Sequence, residues 1–302
     1  MALKDIKAKI GATKRMHTVT RAMEAVSAVK MRKTQASALS GRSYARSALA
    51  ILTRIAGTDA VKKHPLAHSR EVKKVALVVM TSDKGLAGAL NSGVLKQATA
   101  AVADYAKEQV VVYAYGRKGE DFFTNRGYAV ARAFENKQDD VPLSLMEDLS
   151  NELSARFLAG DFDKVVVAYT NFKSTFEQIP RLRRLLPLSL PALAEIVEGI
   201  VPAKGKWSTE QKLEAPAAYE VEPSAEEVLG VLIPRLSAIA LYHMLLESKA
   251  SEHSARMVAM KNASDKSKEV TRDLTRTYNK IRQAAITREV SEIVSGREAL
   301  AA

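Results

Sequence analysis

Hydrophobic and polar positions follow three different periods along the chain, and the first is helical. From Lys4 to about Ala56 the sequence is rich in good helix formers and contains no Pro, which predicts one long helix. Fifty residues of helix span roughly 75 Å, more than the width of most globular domains. A partial coiled-coil seam, with steps of 3 and 4 residues, is predicted at Met16, Val19, Met23 and Val26 and again at Leu49, Leu52 and Ile55.

The C-terminal segment predicts a second helix of similar length. Ser224 and Glu227 have the spacing of a capping box at its start, Pro234 should kink its first turns, and Gly296 reads as its stop. A similar partial seam is predicted at Leu232, Leu236, Ile239, His253, Met257, Met260, Leu274, Thr277 and Ile281. Two such helices at opposite ends of one chain most simply pair as an antiparallel coiled coil.

The middle of the chain changes period. Short apolar runs rich in β-branched residues predict buried strands of a parallel sheet at Val75–Met80, Val110–Tyr115 and Val165–Tyr169. Helical stretches from Ala89 to Ala106 and from Leu143 to Ala159 lie between them, and strand and helix in alternation favour a doubly wound α/β domain.

The predicted fold is therefore of mixed α+β and α/β class: a long antiparallel coiled coil of the N- and C-terminal helices plus a doubly wound, Rossmann-like α/β domain. We expect an N-terminal coiled-coil helix over residues 1–58, a globular α/β domain over 70–222, and a C-terminal coiled-coil helix over 223–302.

Charge is concentrated in the first helix. The chain has a formal net charge of +12, and residues 1–54 carry 12 Lys and Arg against only Asp5 and Glu24. This distribution suits either a solvated helix face or an acidic partner. The sequence has no Cys, which excludes disulfides and thiolate metal sites. It shows no apolar run of the length expected for a membrane span.

Candidate chemistry is sparse. The turn T-S-D-K-G-L-A-G-A-L-N-S-G after the first strand stands where α/β sheets bind ligands, but it lacks the spacing of a dinucleotide or P-loop motif. The five His form no metal-ligand pattern, and no nucleophile motif is present. Nucleic-acid binding by the basic first helix is the second hypothesis, although that helix offers only Tyr44 for stacking.

Three stretches resemble motifs of the γ subunit of F-type ATP synthase. They are I-G-A-T-K-R-M-H-T-V-T-R-A-M-E-A-V-S-A-V-K-M-R-K-T-Q in the first helix, T-S-D-K-G-L-A-G-A-L-N-S in the turn, and S-E-H-S-A-R-M-V-A-M-K-N-A-S-D with Y-N-K-I-R-Q-A-A-I-T-R-E-V-S-E-I-V-S-G in the last helix. The resemblance departs at Ala87, where the family commonly has Cys, and at Arg297 and Glu298, where its tip is commonly apolar.

The resemblance implies a central rotor shaft that couples a turning membrane ring to the catalytic β subunits, with no catalytic residue, metal or cofactor of its own. It implies as partners the α3β3 hexamer, the ε subunit (δ in mitochondria) and the c-ring, and no nucleic acid. The implied location is peripheral, through the complex alone, on the cytoplasmic face of the bacterial inner membrane. The matrix face of the mitochondrial inner membrane is the second option.

The resemblance also implies site residues, position by position. Those matched to β-subunit contact or coupling are Met23, Arg21, Lys30, Glu252, Arg256, Arg282, Gln283, Thr287 and Glu289. Those matched to rotor-ring contact are Tyr219 and Glu222.

Overall fold

The structure is a computed structural model that describes residues 3–40, 64–138, 140–188, 222 and 224–301. Its helices are α1 (Leu3–Ser40), α2 (Leu90–Ala101), α3 (Arg117–Thr124), α4 (Leu143–Ala159) and α5 (Ala225–Ala301). Its strands are β1 (Val75–Met80), β2 (Val110–Tyr115), β3 (Ala129–Phe134), β4 (Lys164–Phe172) and β5 (Gln178–Leu186). Short 3-10 turns lie at Pro65–Ala67 and Lys107–Gln109.

The strands form one mixed sheet in the order β3-β2-β1-β4-β5. The strands β1 to β4 are parallel, and β5 returns antiparallel along β4. The central strand β1 is buried at every position because helices cover both faces of the sheet, which explains why its sequence is continuously apolar.

Each face of the sheet has its own hydrophobic core. On one face, alternate residues of β1, β2 and β4 pack with α4 and with the first part of α5, where Leu229, Ile233 and Leu245 are fully buried. On the other face, the remaining strand residues pack with Val94 and Ala98 of α2 and with Phe123 of α3. This arrangement confirms the doubly wound α/β domain.

Where the structure describes the terminal helices, they agree with the predicted elements and correct one detail. Glu227 N donates to Ser224 Oγ at 3.2 Å, so Ser224 caps α5 as predicted. The helix continues through Pro234 and also through Gly296 to Ala301, so the prediction that Gly296 ends it is wrong. Gly296 has no positive φ and no neighbour that a Cβ would meet, so nothing there forces a stop. Of the first helix, the structure describes Leu3–Ser40, and the seam positions Leu49, Leu52 and Ile55 lie outside the described residues.

One stretch of α5 is long and apolar enough to cross a membrane by length and composition, contrary to the sequence-based expectation. Of that stretch, 56% is buried inside the structure. Its apolar residues include Leu236, Leu241 and Leu245, which pack against the sheet. The stretch therefore has the character of the core helix of an α/β domain.

The chain divides into two compact units. One combines Met1–Ser27 with Arg256–Ala302, and it contains the paired parts of the terminal helices. The other spans Ala28–Ala255 and contains the whole sheet.

Candidate functional site

The buried face of α1 is not the face that the apolar pattern predicted. Its buried residues are Ile6, Thr20, Ser27, Met31 and Thr34, on a row that steps by 7, 4 and 3 residues from Thr20 onward. In the first unit this row faces α5, where His17 Nδ1 lies 2.9 Å from Ser264 Oγ and 3.1 Å from Ser264 O. The seam of the coiled coil is thus largely polar at this level.

The predicted apolar seam of α1 lies on the outside. Met16, Val19 and Val26 are 57%, 56% and 55% exposed, and Val29 is also exposed. The prediction was wrong because α1 carries two rows with steps of 3 and 4 residues, and the small polar side chains occupy the closely packed one. Close packing between helices favours small side chains, so Thr and Ser fit where Met and Val would separate the helices. The outer row of α1 is accordingly an apolar surface without cover from the described residues.

The first helix also carries three residues that the resemblance singled out. Arg21 is exposed, whereas Met23 and Lys30 are half-buried. Met23 continues the outer row, because it stands 4 residues after Val19 and 3 before Val26. At about 100° per residue, Lys30 falls in line with this row, whereas Arg21 lies on the opposite side of α1.

The last turns of α5 form a second exposed surface. Every residue from Ile286 to Arg297 is exposed, and so are Arg282 and Gln283. Thr287 and Glu289 lie within this exposed stretch, and Thr287 Oγ1 donates to Gln283 O of the preceding turn at 3.0 Å. These four of the six residues matched on α5 are therefore accessible along fewer than three turns of helix.

Sequence reasoning missed four residues of this surface. Their spacing of 4, 3 and 1 places them on one side of the helix, where they form an exposed apolar stripe: Ile286, Val290, Ile293 and Val294. The sequence does show these four apolar residues at helical spacing. The same spacing is also typical of a buried helix face, so it did not by itself indicate an exposed stripe. A stripe of this kind, which the described residues leave uncovered, has the character of an interaction surface.

Glu252 and Arg256 are placed differently, because both are buried. Glu252 Oε2 accepts a hydrogen bond from Asn136 Nδ2 at 3.0 Å, next to the carboxyl ends of β1 and β3. Burial, followed by the negative charges of Asp83 and Glu252, raises the pKa of the Tyr115 hydroxyl in the same region. Of the two residues matched to the rotor ring, Glu222 is exposed and Tyr219 lies outside the described residues.

The polar groups of the turn after β1 form hydrogen bonds with one another and with neighbouring segments of the domain. Ser82 N donates to Asn91 Oδ1 at 3.0 Å, Asn91 Nδ2 donates to Ser82 Oγ at 2.7 Å, and Ser82 Oγ donates to Lys84 O at 2.6 Å. Asp83 accepts hydrogen bonds from the backbone of Arg117 and Asn136 at 2.8 and 2.9 Å. These bonds close the turn on itself and on the neighbouring strand ends. In the described residues, no group of three or more His, Cys, Asp or Glu is arranged to hold a metal ion.

Comparisons with known proteins agree over nearly the whole chain. The sequence profile described as ATP synthase matches residues 2–300. A relative from Pelotomaculum thermopropionicum, described as ATP synthase gamma chain, is 37% identical over 299 residues that cover 99% of both chains. Another of the same description, from Roseiflexus castenholzii, is 40% identical over 302 residues, covering 99% of this chain and 98% of that one.

Solved structures show the same architecture. The central stalk and c-ring of the Tetrahymena thermophila mitochondrial ATP synthase includes a chain with a TM-score of 0.60 at 25% identity, over 82% of this chain and 99% of that one. The rotor of the Euglena gracilis mitochondrial ATP synthase includes a chain with a TM-score of 0.61 at 16% identity, over 94% and 98% respectively. The second likeness is one of fold alone.

Proposed function

Because the chain belongs to the ATP synthase gamma chain family, we propose that it is the central-stalk rotor subunit of a proton-translocating F-type ATP synthase. In this role it couples rotation of the membrane ring to conformational changes in the catalytic β subunits, in the direction of synthesis or hydrolysis. The chain itself takes no part in the chemistry.

The observation that carries this proposal is the pair of exposed apolar surfaces on the terminal helices. One is the outer row of α1 at Met16, Val19 and Val26, and the other is the apolar stripe of α5. Each would be unfavourable on a free soluble protein, and each becomes favourable when a partner encloses the helices. A ring of α and β subunits around the shaft supplies such an enclosure.

Charge supports the same partner. The first helix is strongly basic: Lys30 stands in line with its outer apolar row, and Arg21 is exposed on the other side of the helix. An acidic lever segment of β, which the family resemblance implies, is complementary to this surface. We assign Met23, Arg21 and Lys30 to that contact, and Arg282, Gln283, Thr287 and Glu289 to the contact with the catch loop of β.

The coupling follows from asymmetry. Apolar, basic and polar residues stand at different angles around α1 and α5, so each β subunit meets a different surface as the shaft turns. A surface that binds one conformation of β better than another shifts that subunit toward the favoured conformation. Rotation then changes nucleotide affinity at each catalytic site in sequence, and product release can follow the angle of the shaft.

Glu252 and Arg256 fit coupling through the position of α5 rather than through direct contact, because both side chains are buried within this chain. Tyr219 and Glu222 are assigned to the polar loops of the c-ring, and the ε subunit (δ in mitochondria) completes the stalk. Membrane association comes through these partners. We place the complex on the cytoplasmic face of the bacterial inner membrane, in keeping with the bacterial relatives.

Affinity isolation from detergent-solubilised membranes tests the proposal. A tagged copy of the chain should recover α, β and c-ring subunits together with ATPase activity, and recovery should persist at moderate salt. Recovery of the tagged chain alone, or of nucleic acid whose binding falls steeply with salt, would favour the alternative of a nucleic-acid-binding protein.

A further inference from the structure

Eight residues of α5, Glu247–Ser254, carry an unusual number of buried polar ties to the sheet. Six of them are buried polar side chains that bond to strands or to the segments that follow strands: Glu247, Ser248, Lys249, Ser251, Glu252 and Ser254. We call this set the polar clamp. The preceding part of α5 packs on the same sheet almost entirely through apolar residues.

One side of the polar clamp holds β4 and the turn after it. Thr170 N donates to Ser248 Oγ at 3.0 Å, and Ser254 Oγ donates to Thr175 O at 2.7 Å. Asn171 Nδ2 donates to both carboxylate oxygens of Glu247, at 3.0 and 2.9 Å.

The other side of the polar clamp converges on Asn136, which follows β3. Lys249 Nζ donates to Asn136 Oδ1 and, at 2.5 Å, to the backbone oxygen of Gln138. Asn136 Nδ2 donates to Glu252 Oε2 at 3.0 Å and to Thr81 O at 2.9 Å. The amide oxygen of Asn136 thus faces the ammonium group of Lys249, and its amide nitrogen faces the carboxylate of Glu252. A 180° flip of the amide would lose both hydrogen bonds and place like polarity against each charge.

The two sides together fix the angle of α5. At about 100° per residue, the six side chains spread over roughly 220° of the helix circumference. Rotating the helix by one position would break all of these bonds and leave Lys249, which is 2% exposed, as an uncompensated buried charge. Apolar contacts alone would fix the rotational position of α5 on the sheet less strictly. Buried polar groups fix it more strictly, because their hydrogen bonds form in only one arrangement of the helix.

From this geometry we infer that the polar clamp is the joint that transmits torque between the α/β domain and the shaft, with Lys249 as its main positioning residue. The inference rests on the proposed rotor function. The helices α1 and α5 each contribute residues to both compact units, and the polar clamp gives α5 its buried hydrogen bonds to the sheet, so we assign to it the transfer of a turning force from the sheet to α5. If α5 could rotate relative to the sheet, the terminal helices would turn without the α/β domain, which under the proposed function contacts the membrane ring.

The test uses the complete complex in sealed vesicles and compares two rates, ATP hydrolysis and ATP-driven proton pumping. Lys249→Met keeps most of the side-chain volume and removes the donors. We expect it to leave hydrolysis near its normal rate and to lower the ratio of pumping to hydrolysis by about twofold. Lys261→Met, the same change at an exposed position of α5, is the matched control and should leave the ratio unchanged.

Further variants separate positioning from general stability. Lys249→Arg retains the cation and should restore most of the ratio. Asn136→Leu should lower the ratio as Lys249→Met does, and the double variant should be no worse than either, because both break the same contact. If Lys249→Met fails to assemble, Ser254→Ala removes a single hydroxyl and should lower the ratio by a smaller, measurable amount.

The outcomes are distinguishable. A normal pumping ratio in assembled Lys249→Met complex overturns the inference, and so does a normal ratio in Ser254→Ala if that variant must be used. A lower yield of assembled complex whose pumping ratio is unchanged assigns the polar clamp to folding alone, which also overturns the inference. Absence of the chain from the active complex would instead overturn the proposed rotor function.

Discussion

The apolar stripe at the end of α5 gives a prediction whose size can be worked from the structure. Fully burying an Ile side chain stabilises by about 1.5–3 kcal/mol. Ile293 is 72% exposed in this chain, so a partner that covers it has about 1–2 kcal/mol to gain at this residue. Ile293→Asn should therefore weaken association with the α and β subunits by roughly five- to thirtyfold.

The same substitution should leave the isolated chain almost unaffected. An exposed position contributes little to folding, so the free energy of unfolding should change by less than about 0.5 kcal/mol. Glu292→Asn is the matched control, since it introduces the same residue in the same turn on the side of α5 away from the stripe. It should weaken association much less than Ile293→Asn.

The assay has two parts. Chemical denaturation of the purified chain gives the free energy of unfolding, and titration of labelled chain with α and β subunits gives the dissociation constant. Equal weakening by Ile293→Asn and Glu292→Asn would refute the reasoning, because it would show that the stripe is not the covered face. A large loss of stability in the isolated chain would refute it as well.

Three further predictions test individual parts of the molecule. Arg282→Ala combined with Gln283→Ala should impair ATPase activity or assembly, because both exposed side chains are assigned to the catch loop of β; normal ATPase activity and proton pumping in the assembled complex would remove them from that contact. Gly116→Ala should lower the free energy of unfolding by about 3 kcal/mol or more, because Gly116 has φ of +95° and an added Cβ would lie 2.1 Å from Thr81 O. Gly160→Ala, at a φ of +85° with open space around it, should cost only about 1 kcal/mol in the same denaturation experiment, and equal costs would contradict the steric argument. Asp163→Asn should destabilise the chain by about 2 kcal/mol at neutral pH, because the carboxylate accepts from the backbone of Lys73 and Lys74 and from Arg70. Burial acts to raise the pKa of Asp163, but these hydrogen bonds and the charge of Arg70 lower it below its ordinary value of 3.8. The stabilisation is therefore fully present above that value and is lost as the pH falls through the lower folded-state pKa, so denaturation midpoints of the two chains should converge in acid and stay apart at neutral pH.

The strands and helices of the α/β domain were predictable wherever burial was complete. The runs Val75–Met80 and Val110–Tyr115 and the helix Leu143–Ala159 have the bounds that the sequence predicts. The two edge strands were missed, because one face of β3 is solvent-exposed and β5 contains Pro180 and three Arg, so neither forms an apolar run.

The sequence predicted which helices carry the candidate site, but it did not predict which of their residues are buried. The terminal helices followed from length and period, and the resemblance named residues at the end of α5 that the structure shows to be exposed. The apolar pattern selected the wrong face of α1, since Thr20, Ser27 and Thr34 read as surface residues although they are buried. Lys249 was missed for the same reason: a lysine is ordinarily exposed, and its partners Asn136 and Gln138 stand more than 100 residues away in the sequence.

Direct observation of rotation tests the central claim. The chain contains no Cys, so Glu108→Cys at an exposed position gives the chain a single thiol for a fluorescent or bead label. In α3β3 complexes fixed to a surface, the account predicts that ATP drives continuous rotation of this label in one direction, and that rotation stops when ATP is removed. A label that stays fixed relative to α3β3 while ATP is hydrolysed at a normal rate would contradict it.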